Sequence, residues 1–399
     1  MNKIKGTKDY FGAEAQKMIH IKDVFFDCCY RNNYSYVESP IIEYVDLFKR
    51  SSGEMSDIVS KEMYTFLSKS NKQLALRPEG TAPFIRLFLE NKLMNERFKT
   101  YFYFGPMFRY EQPQKGRYRQ FNQLGIENIS QVNYINDFQV LMLAFEILNK
   151  LNIKDFKLII NNIGTIEERA IYKNVLKEYL SNYKEQLEQE SLARLDANVL
   201  RILDDKKEQG KNFIKNCPKI IDFLSEESKL YFENIKNLLT KFNFDFEVDF
   251  NLVRGLDYYN NLVFEFVSTS KALGSQAAII AGGRYQIKLE NECIDAIGFA
   301  GGIERILEIL NYNNFEVQNE LTNLIVILNE EERIEALKLF KQLSENARTY
   351  LYPDVIKLNK AFKLTASTKA HNLVFKNRAN NSSNWIIKNQ ITKEIKNID

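Results

Sequence analysis

Histidine is nearly missing from this sequence: His20 and His371 are the only two among 399 residues, and they stand far apart in unlike surroundings. That scarcity argues against a Ser-His-Asp or Cys-His hydrolase and against a histidine-rich metal site. Cysteine is also sparse. Cys28, Cys29, Cys217 and Cys293 contain no CxxC, and the adjacent pair has the wrong spacing for a zinc knuckle. They read as buried free thiols in a reducing cytosol, with no structural metal. The apolar run Leu141–Leu148 is short, broken by Glu146 and far below a membrane span, and the polar start Met1–Lys8 has no signal-peptide core. A soluble, cytoplasmic protein without a membrane partner is expected. Glycine is low at 16 residues, and neither GxGxxG nor GxxxxGK[ST] occurs, so Rossmann and P-loop readings fail on spacing.

What is present fits an ordinary globular chain of two or three domains, large enough to bury a substantial core without staples. The net charge of +3 hides an asymmetry: residues 347–399 hold ten Lys/Arg against three Asp/Glu, so the remainder carries −4. A basic segment of that kind suits a phosphate-rich partner or a solvated tail. Four blocks separate by pattern. Residues 1–164 mix helical stretches (Glu14–Asn32, Thr81–Asn91) with strand-like ones (Tyr101–Arg109, Arg119–Ile129). Residues 165–242 are rich in Glu, Lys and Leu at helical spacing, as in a helical insertion. Residues 243–318 return to strands and hold the densest glycines. Residues 321–399 open with the apolar run Leu324–Leu328 and the charged helix Glu330–Asn346, a small α/β module.

Five stretches carry chemistry. Tyr101–Ile129 predicts an antiparallel hairpin with a long basic loop. Positions two apart share a face, so Gln123, Gly125 and Glu127 form a polar stripe whose glycine gap leaves room for a ligand. Arg109 and Glu111 end the outgoing strand, and Lys115, Arg117 and Arg119 crowd the loop. In Leu74–Phe84, Thr81 can cap a helix, which places Glu79 at a strand-to-helix turn, where it can hold an ammonium or serve as a cap. Asp249–Val267 reads as a second hairpin with Arg254 at a strand end, free to pair with Asp257 or to act on a ligand, and Tyr258 and Tyr259 at the turn. Ala277–Tyr285 ends an apolar strand in two glycines. Ala296–Leu310 runs a glycine-rich strand into a helix near Ile303, where Gly298, Gly301 and Gly302 would admit a flat ligand and Arg305 would stack on it or touch a phosphate. Guanidinium groups at three separate strand ends with two carboxylates suit activation of a cationic small molecule by a nucleoside triphosphate.

In order along the chain, these segments resemble the histidyl-tRNA synthetase family of class II aminoacyl-tRNA synthetases. Ile4–Gly12 is similar to the opening signature, Tyr36–Phe48 takes the place of motif 1, FRYEQPQKGRYRQFNQLGIE resembles motif 2 and GFAGGIERI motif 3. LVRGLDYYNNLVFE and AAIIAGGRY resemble the two histidine-specific motifs, and ARLDANVLRILDDK resembles a signature inside the helical insertion. The resemblance implies an α+β fold, an antiparallel sheet flanked by helices, with a helical insertion and a small C-terminal α/β domain. It makes 1–164 and 243–318 two parts of a catalytic domain, and 321–399 an anticodon-binding domain.

By the same resemblance, ATP and L-histidine would give histidyl-adenylate, and the histidyl group would pass to the 3′ end of tRNA(His), in a homodimer formed through motif 1. Arg109 would grip the α-phosphate, with Glu111, Arg117 and Arg305 completing the ATP site. Arg254 would be catalytic. Glu79, Thr81, Gln123, Glu127, Arg254, Tyr258, Tyr259 and Tyr285 would bind histidine. Mg2+ would arrive with ATP rather than in a protein cage. Two residues depart from the family pattern: Gln112 in the motif 2 loop, where Arg is usual, and Gln286 after GGRY, where Asp is usual. The competing reading is a catalytically inactive paralogue with a regulatory role.

Overall fold

In the computed structural model, residues 2–52, 58–205, 207–253, 258–274, 277–289, 292–317, 322–378 and 384–398 are described. Arg254, Gly255 and Asp257 lie outside them. The chain divides into two compact units, Met1–Glu316 and Val317–Asp399.

In the first unit, the alternating stretches build one sheet from β1 (Ser35–Tyr36), β2 (Thr100–Phe108), β3 (Gln120–Ile129), β4 (Phe156–Asn162), β5 (Phe246–Val248), β6 (Tyr259–Ser268), β7 (Ala278–Leu289) and β8 (Glu292–Gly302). Their spatial order is β1-β2-β3-β8-β7-β6-β4-β5. Only the outer pairs β1–β2 and β4–β5 are parallel. The long helices α1 (Gly12–Arg31), α3 (Tyr134–Lys150), α4 (Glu226–Lys241) and α5 (Ile303–Tyr312) give their apolar faces to the same core. That core holds Phe25, Leu141, Ile235 and Ile306, and β3 turns Leu124 and Ile126 into it, both fully buried. Strand alternation therefore sends Gln123, Gly125 and Glu127 to the other face, as the pattern predicted. A shorter helix, α2 (Thr81–Glu90), follows a three-stranded sheet of Ile42–Tyr44, Gln73–Leu76 and Tyr64–Leu67.

One expectation fails. Asp249–Val267 is not a hairpin, because β4 lies between β5 and β6 and pairs with both. The reason lies in burial. β6 is buried at every position from Tyr259 to Phe264 and needs a partner on each side, which β7 and β4 supply. Three-residue β5 is left as an edge.

The helical segment opens on a capping box, in which Thr165 and Glu168 satisfy each other's backbone N–H. Its helices Ile166–Ser181 and Gln189–Ala197 enclose a core of their own around Leu176, Leu200 and Ile214, which Val253 joins. α4, in contrast, packs Phe232, Ile235 and Leu239 into the core of the large sheet.

The second unit is a five-stranded sheet in the order Thr349–Val355, Asn323–Ile327, Asn372–Asn377, Asn384–Asn389, Ile395–Ile398, with helices Arg333–Ser344 and Leu358–Thr368. Alternate residues of Asn323–Ile327 serve opposite faces: Leu324 and Val326 pack with Ala361, while Ile325 and Ile327 pack with Ala336 and Leu339. The expected α+β class, its helix-flanked antiparallel sheet and its small C-terminal α/β unit are what the chain forms.

Candidate active site

The sheet face opposite the helical core holds a cavity of about 350 Å3. Of the residues singled out from sequence, Glu79, Thr81, Arg109, Glu111, Arg117, Gln123, Glu127, Tyr258, Tyr259, Tyr285 and Arg305 all line it. Arg254 lies outside the described residues.

One end is acidic and aromatic. Glu79, before α2, accepts from the backbone N–H of Thr81 (2.7 Å) and of Ala82 (2.9 Å), so its carboxylate caps the helix, the place expected for Thr81. A negative charge at a helix N-terminus is favourable, and the remaining oxygen lone pairs are available to a ligand. Glu127 is 2% exposed, and burial, reinforced by the charge of Glu79, pushes its carboxyl up to about 8 against the hydrogen bonds it accepts. Tyr285 donates one of these to Oε2 at 2.7 Å. Ring centroids of Tyr258 lie 5.3 Å from Tyr285 and 4.8 Å from Tyr259, forming an aromatic wall. Gln123 Oε1 is buried with no hydrogen-bond partner among the described residues. Two buried carboxylates and an orphan acceptor want donors, and a cation supplies them.

The other end is basic. Arg109 is held by its Nε–H to Pro78 O (2.8 Å), and its guanidinium lies 5.3 Å from the centre of the Phe121 ring. Glu111 sits between Arg109 (3.9 Å) and Arg117, with which it forms a close ion pair. Arg305, at the start of α5, donates to Ala278 O at 2.6 Å. Burial, then the charges of Arg117 and Arg109, bring its guanidinium down to about 10. Such crowding of like charge is costly without an anion and becomes favourable when a polyphosphate enters.

The glycines behave differently from expectation. The gap at Gly125 does not open to a ligand. The Tyr103 ring fills it and also lies where a side chain at Gly80 would stand. At Gly298 the space is taken by the Glu127 carboxylate, and Gly301 faces Ile280 and Leu124 of the core. Gly302 keeps open space beside Arg305. Of the two departures, Gln112 is exposed in the loop, and Gln286 donates to Asp295 at 2.8 Å.

Sequence reasoning missed Phe121, Glu265, Glu304 and Arg201, which also line the cavity. Phe121 was within reach of the alternation that found Gln123 and Glu127, since it stands two residues earlier on β3. Glu304 binds the backbone N–H of Asn122 (2.9 Å) and the Tyr10 hydroxyl (3.0 Å), tying the start of α5 to β3 and to the N-terminal signature. Arg201 arrives from the helical segment, and nothing local in the sequence announces that placement.

Comparisons with known proteins identify the family and the fold. The family described as Histidyl-tRNA synthetase matches residues 6–306. A histidine–tRNA ligase of Mycoplasmopsis pulmonis is 43% identical over 395 residues, covering 98% of this chain and 94% of that protein. One from Streptococcus pneumoniae is 37% identical, covering 99% of this chain and 94% of that protein. The solved structure of apo histidyl-tRNA synthetase from S. aureus superposes with a TM-score of 0.81 at 30% identity, covering all of this chain and 97% of the other.

Proposed function

We propose, from the premise that this chain belongs to the histidyl-tRNA synthetase family, that it is a histidine–tRNA ligase, a class II aminoacyl-tRNA synthetase. The observation that carries the reading is the polarity of one cavity, with Glu79 and Glu127 buried at one end and Arg109, Arg117 and Arg305 gathered at the other. Histidine is the cationic reactant that the acidic end fits. Its α-ammonium goes to Glu79, Thr81 and the orphan oxygen of Gln123. Its imidazole lies against Tyr258, Tyr259 and Tyr285 and is read by Glu127. Buried polar groups make such a pocket selective, because an isostere lacking the ring nitrogens leaves them unpaired.

ATP takes the basic end. Arg109 meets the α-phosphate, Arg305 and Phe121 offer a guanidinium and an aromatic ring to the purine, and Glu111 holds Arg117 in place. The arginines neutralise charge that builds on phosphorus as the histidine carboxylate attacks and pyrophosphate leaves. Arg254 is the remaining catalytic candidate and rests on the family resemblance alone. Mg2+ is carried by the triphosphate, and carboxylate oxygens such as those of Glu265 are the donor type it takes. The histidyl group then passes to the 3′ end of tRNA(His).

The basic unit Val317–Asp399 is the anticodon-binding domain, and the homodimer forms through the Tyr36–Phe48 stretch, where Ile41, Ile42 and Tyr44 expose apolar surface. No helix among the described residues is long and apolar enough to cross a membrane, and the cytoplasm, where the tRNA is, is the proposed location.

ATP–pyrophosphate exchange with each amino acid in turn tests the reading. Exchange should depend on histidine. A folded dimer that exchanges with none would be the inactive regulatory paralogue.

A further inference from the structure

The segment that precedes α1 lines none of the cavity, yet it is fastened to both elements that build the basic end. At the first, the Gly6 carbonyl accepts from the backbone N–H of Arg119 at 2.7 Å, at the root of the loop that carries Glu111 and Arg117. Gly6 has φ +87°, and an added Cβ would stand 2.8 Å from Arg119 Cγ and 3.0 Å from Pro113 Cγ, so this approach requires glycine. At the second, the Tyr10 hydroxyl donates to Glu304 Oε1 at 3.0 Å, in the first turn of α5. Between these points Lys8 pairs with Glu14 of α1 at 2.8 Å, and Glu14 accepts in turn from Asn311 of α5 at 3.1 Å.

Glu304 is the joint through which this segment reaches the cavity. It is 2% exposed, and its two oxygens accept from the Asn122 backbone N–H at 2.9 and 3.0 Å. Asn122 directly follows Phe121, and Arg305 directly follows Glu304, so one carboxylate sets the spacing between the aromatic ring and the guanidinium. A buried carboxylate needs donors to hold its charge and its orientation. Tyr10 supplies a donor that comes from neither β3 nor α5. We propose that Tyr10 is a positioning residue for the nucleotide end of the cavity, acting through Glu304 on Phe121 and Arg305, while Gly6 holds the root of the adjoining loop. The proposal rests on the reading of this end as the ATP site.

The test is Tyr10→Phe in the full-length protein, which keeps the ring packed on the core and removes only the O–H. ATP–pyrophosphate exchange is measured at varied ATP and varied histidine, with denaturant unfolding alongside. KM for ATP should rise about fivefold, with kcat and KM for histidine changed less than about twofold, the pattern of a lost contact that serves binding alone. A lower unfolding midpoint with both KM values unchanged would mark a contact that only stabilises the fold, and it overturns the proposal. So does a parallel rise in both KM values. If Tyr10→Phe proves unstable, calorimetric titration of each substrate into Gly6→Ala, which disturbs the loop root instead, reads the same point. ATP affinity should fall about fivefold there with histidine affinity within about twofold, and equal or absent weakening in a folded variant refutes the proposal. Wild-type protein that binds no ATP in the same titration would overturn the ATP reading, and the proposal with it.

Discussion

Tyr285 reaches across an intervening strand to donate its hydroxyl to Glu127 Oε2 at 2.7 Å. Tyr285 is on β7, Glu127 on β3, and β8 runs between them. The reach is open because Gly298 of β8 is paired with Glu127 and carries no side chain. Glycine at that position belongs to the carboxylate, and three strands define one binding group.

A methyl group at Gly298 should therefore damage the amino acid site selectively. Its Cβ would lie 3.1 Å from Glu127 Cδ and still closer to the Ile126 carbonyl, which is backbone and cannot step aside. Overpacking of this kind costs roughly 1–3 kcal/mol. Gly298→Ala should raise KM for histidine about tenfold while leaving KM for ATP near its original value. Exchange kinetics decide the matter, and an unchanged histidine KM would mean that Glu127 does not bind the ligand from this position.

The pH dependence of stability has a sign set by Glu127. Its folded-state value of about 8 stands above the ordinary 4.5, so the folded chain holds a proton that the unfolded chain has released. The empty protein is thus most favoured below pH 4.5 with respect to this group and loses stability as pH rises toward 8. Between pH 6 and 8.5 the loss is on the order of 3 kcal/mol. Urea unfolding at pH 6 and pH 8.5 should show it, Glu127→Gln should diminish it, and saturating histidine should flatten it by favouring the ionised form. A wild-type slope identical to that of Glu127→Gln would refute the assignment.

Arg305 presents the opposite balance. Its guanidinium is buried and crowded by Arg117 and Arg109, a burden an anion relieves. Arg305→Ala should raise Kd for ATP by about tenfold or more and leave histidine binding within a factor of about two. The measurement is calorimetric titration of each substrate separately. Equal weakening of both would point to a collapsed cavity instead of a lost phosphate contact.

Much of this site was legible before coordinates because strand alternation is simple. Gln123 and Glu127 fall two and six residues along β3 from Phe121, and their separation from the core-facing Leu124 and Ile126 follows from the pleat alone. What remained hidden depended on strands far apart in sequence. The fill of Gly125 by Tyr103 needs the β2–β3 register, and the vacancy at Gly298 needs the β3–β8 register. The false hairpin at Asp249–Val267 has the same origin, since nothing local shows that β4 will slip between β5 and β6. Glu79 capping its own helix was the competing local explanation, and it proves compatible with lining the cavity.

Away from the cavity, the fold depends on a charge pair in the core. Arg284 is 1% exposed and Asp137 fully buried. Arg284 gives its Nε–H to Asp137 Oδ2 at 2.8 Å, pairs through Nη2 with Asp137 Oδ1 at 2.8 Å, and donates to the carbonyls of Ser130 and Gln131 at 2.7 Å each. Tyr231 adds a close hydroxyl contact to the same carboxylate. Asp137→Asn leaves a buried guanidinium without its counter-charge, a loss of roughly 3–5 kcal/mol. Because Arg284 directly precedes Tyr285, histidine binding should weaken in the folded fraction too. Denaturant unfolding with and without histidine separates the two effects, and a variant as stable as wild type would show the pair to be dispensable.

The last prediction concerns the basic unit. Val317–Asp399 has its own apolar clusters around Leu324 and Ile325, and the first unit closes its core without those residues. A chain ending at Glu316 should therefore fold and retain histidine-dependent exchange within about threefold. Charging of tRNA(His) should fall at least tenfold, because an independent phosphate-binding contact multiplies affinity for a nucleic acid held at two places. The residual charging should also depend less steeply on salt, since fewer lysines meet phosphates. If exchange and charging decline in parallel, the unit supports the catalytic fold and is not the RNA-binding element its ten basic residues in 347–399 suggest.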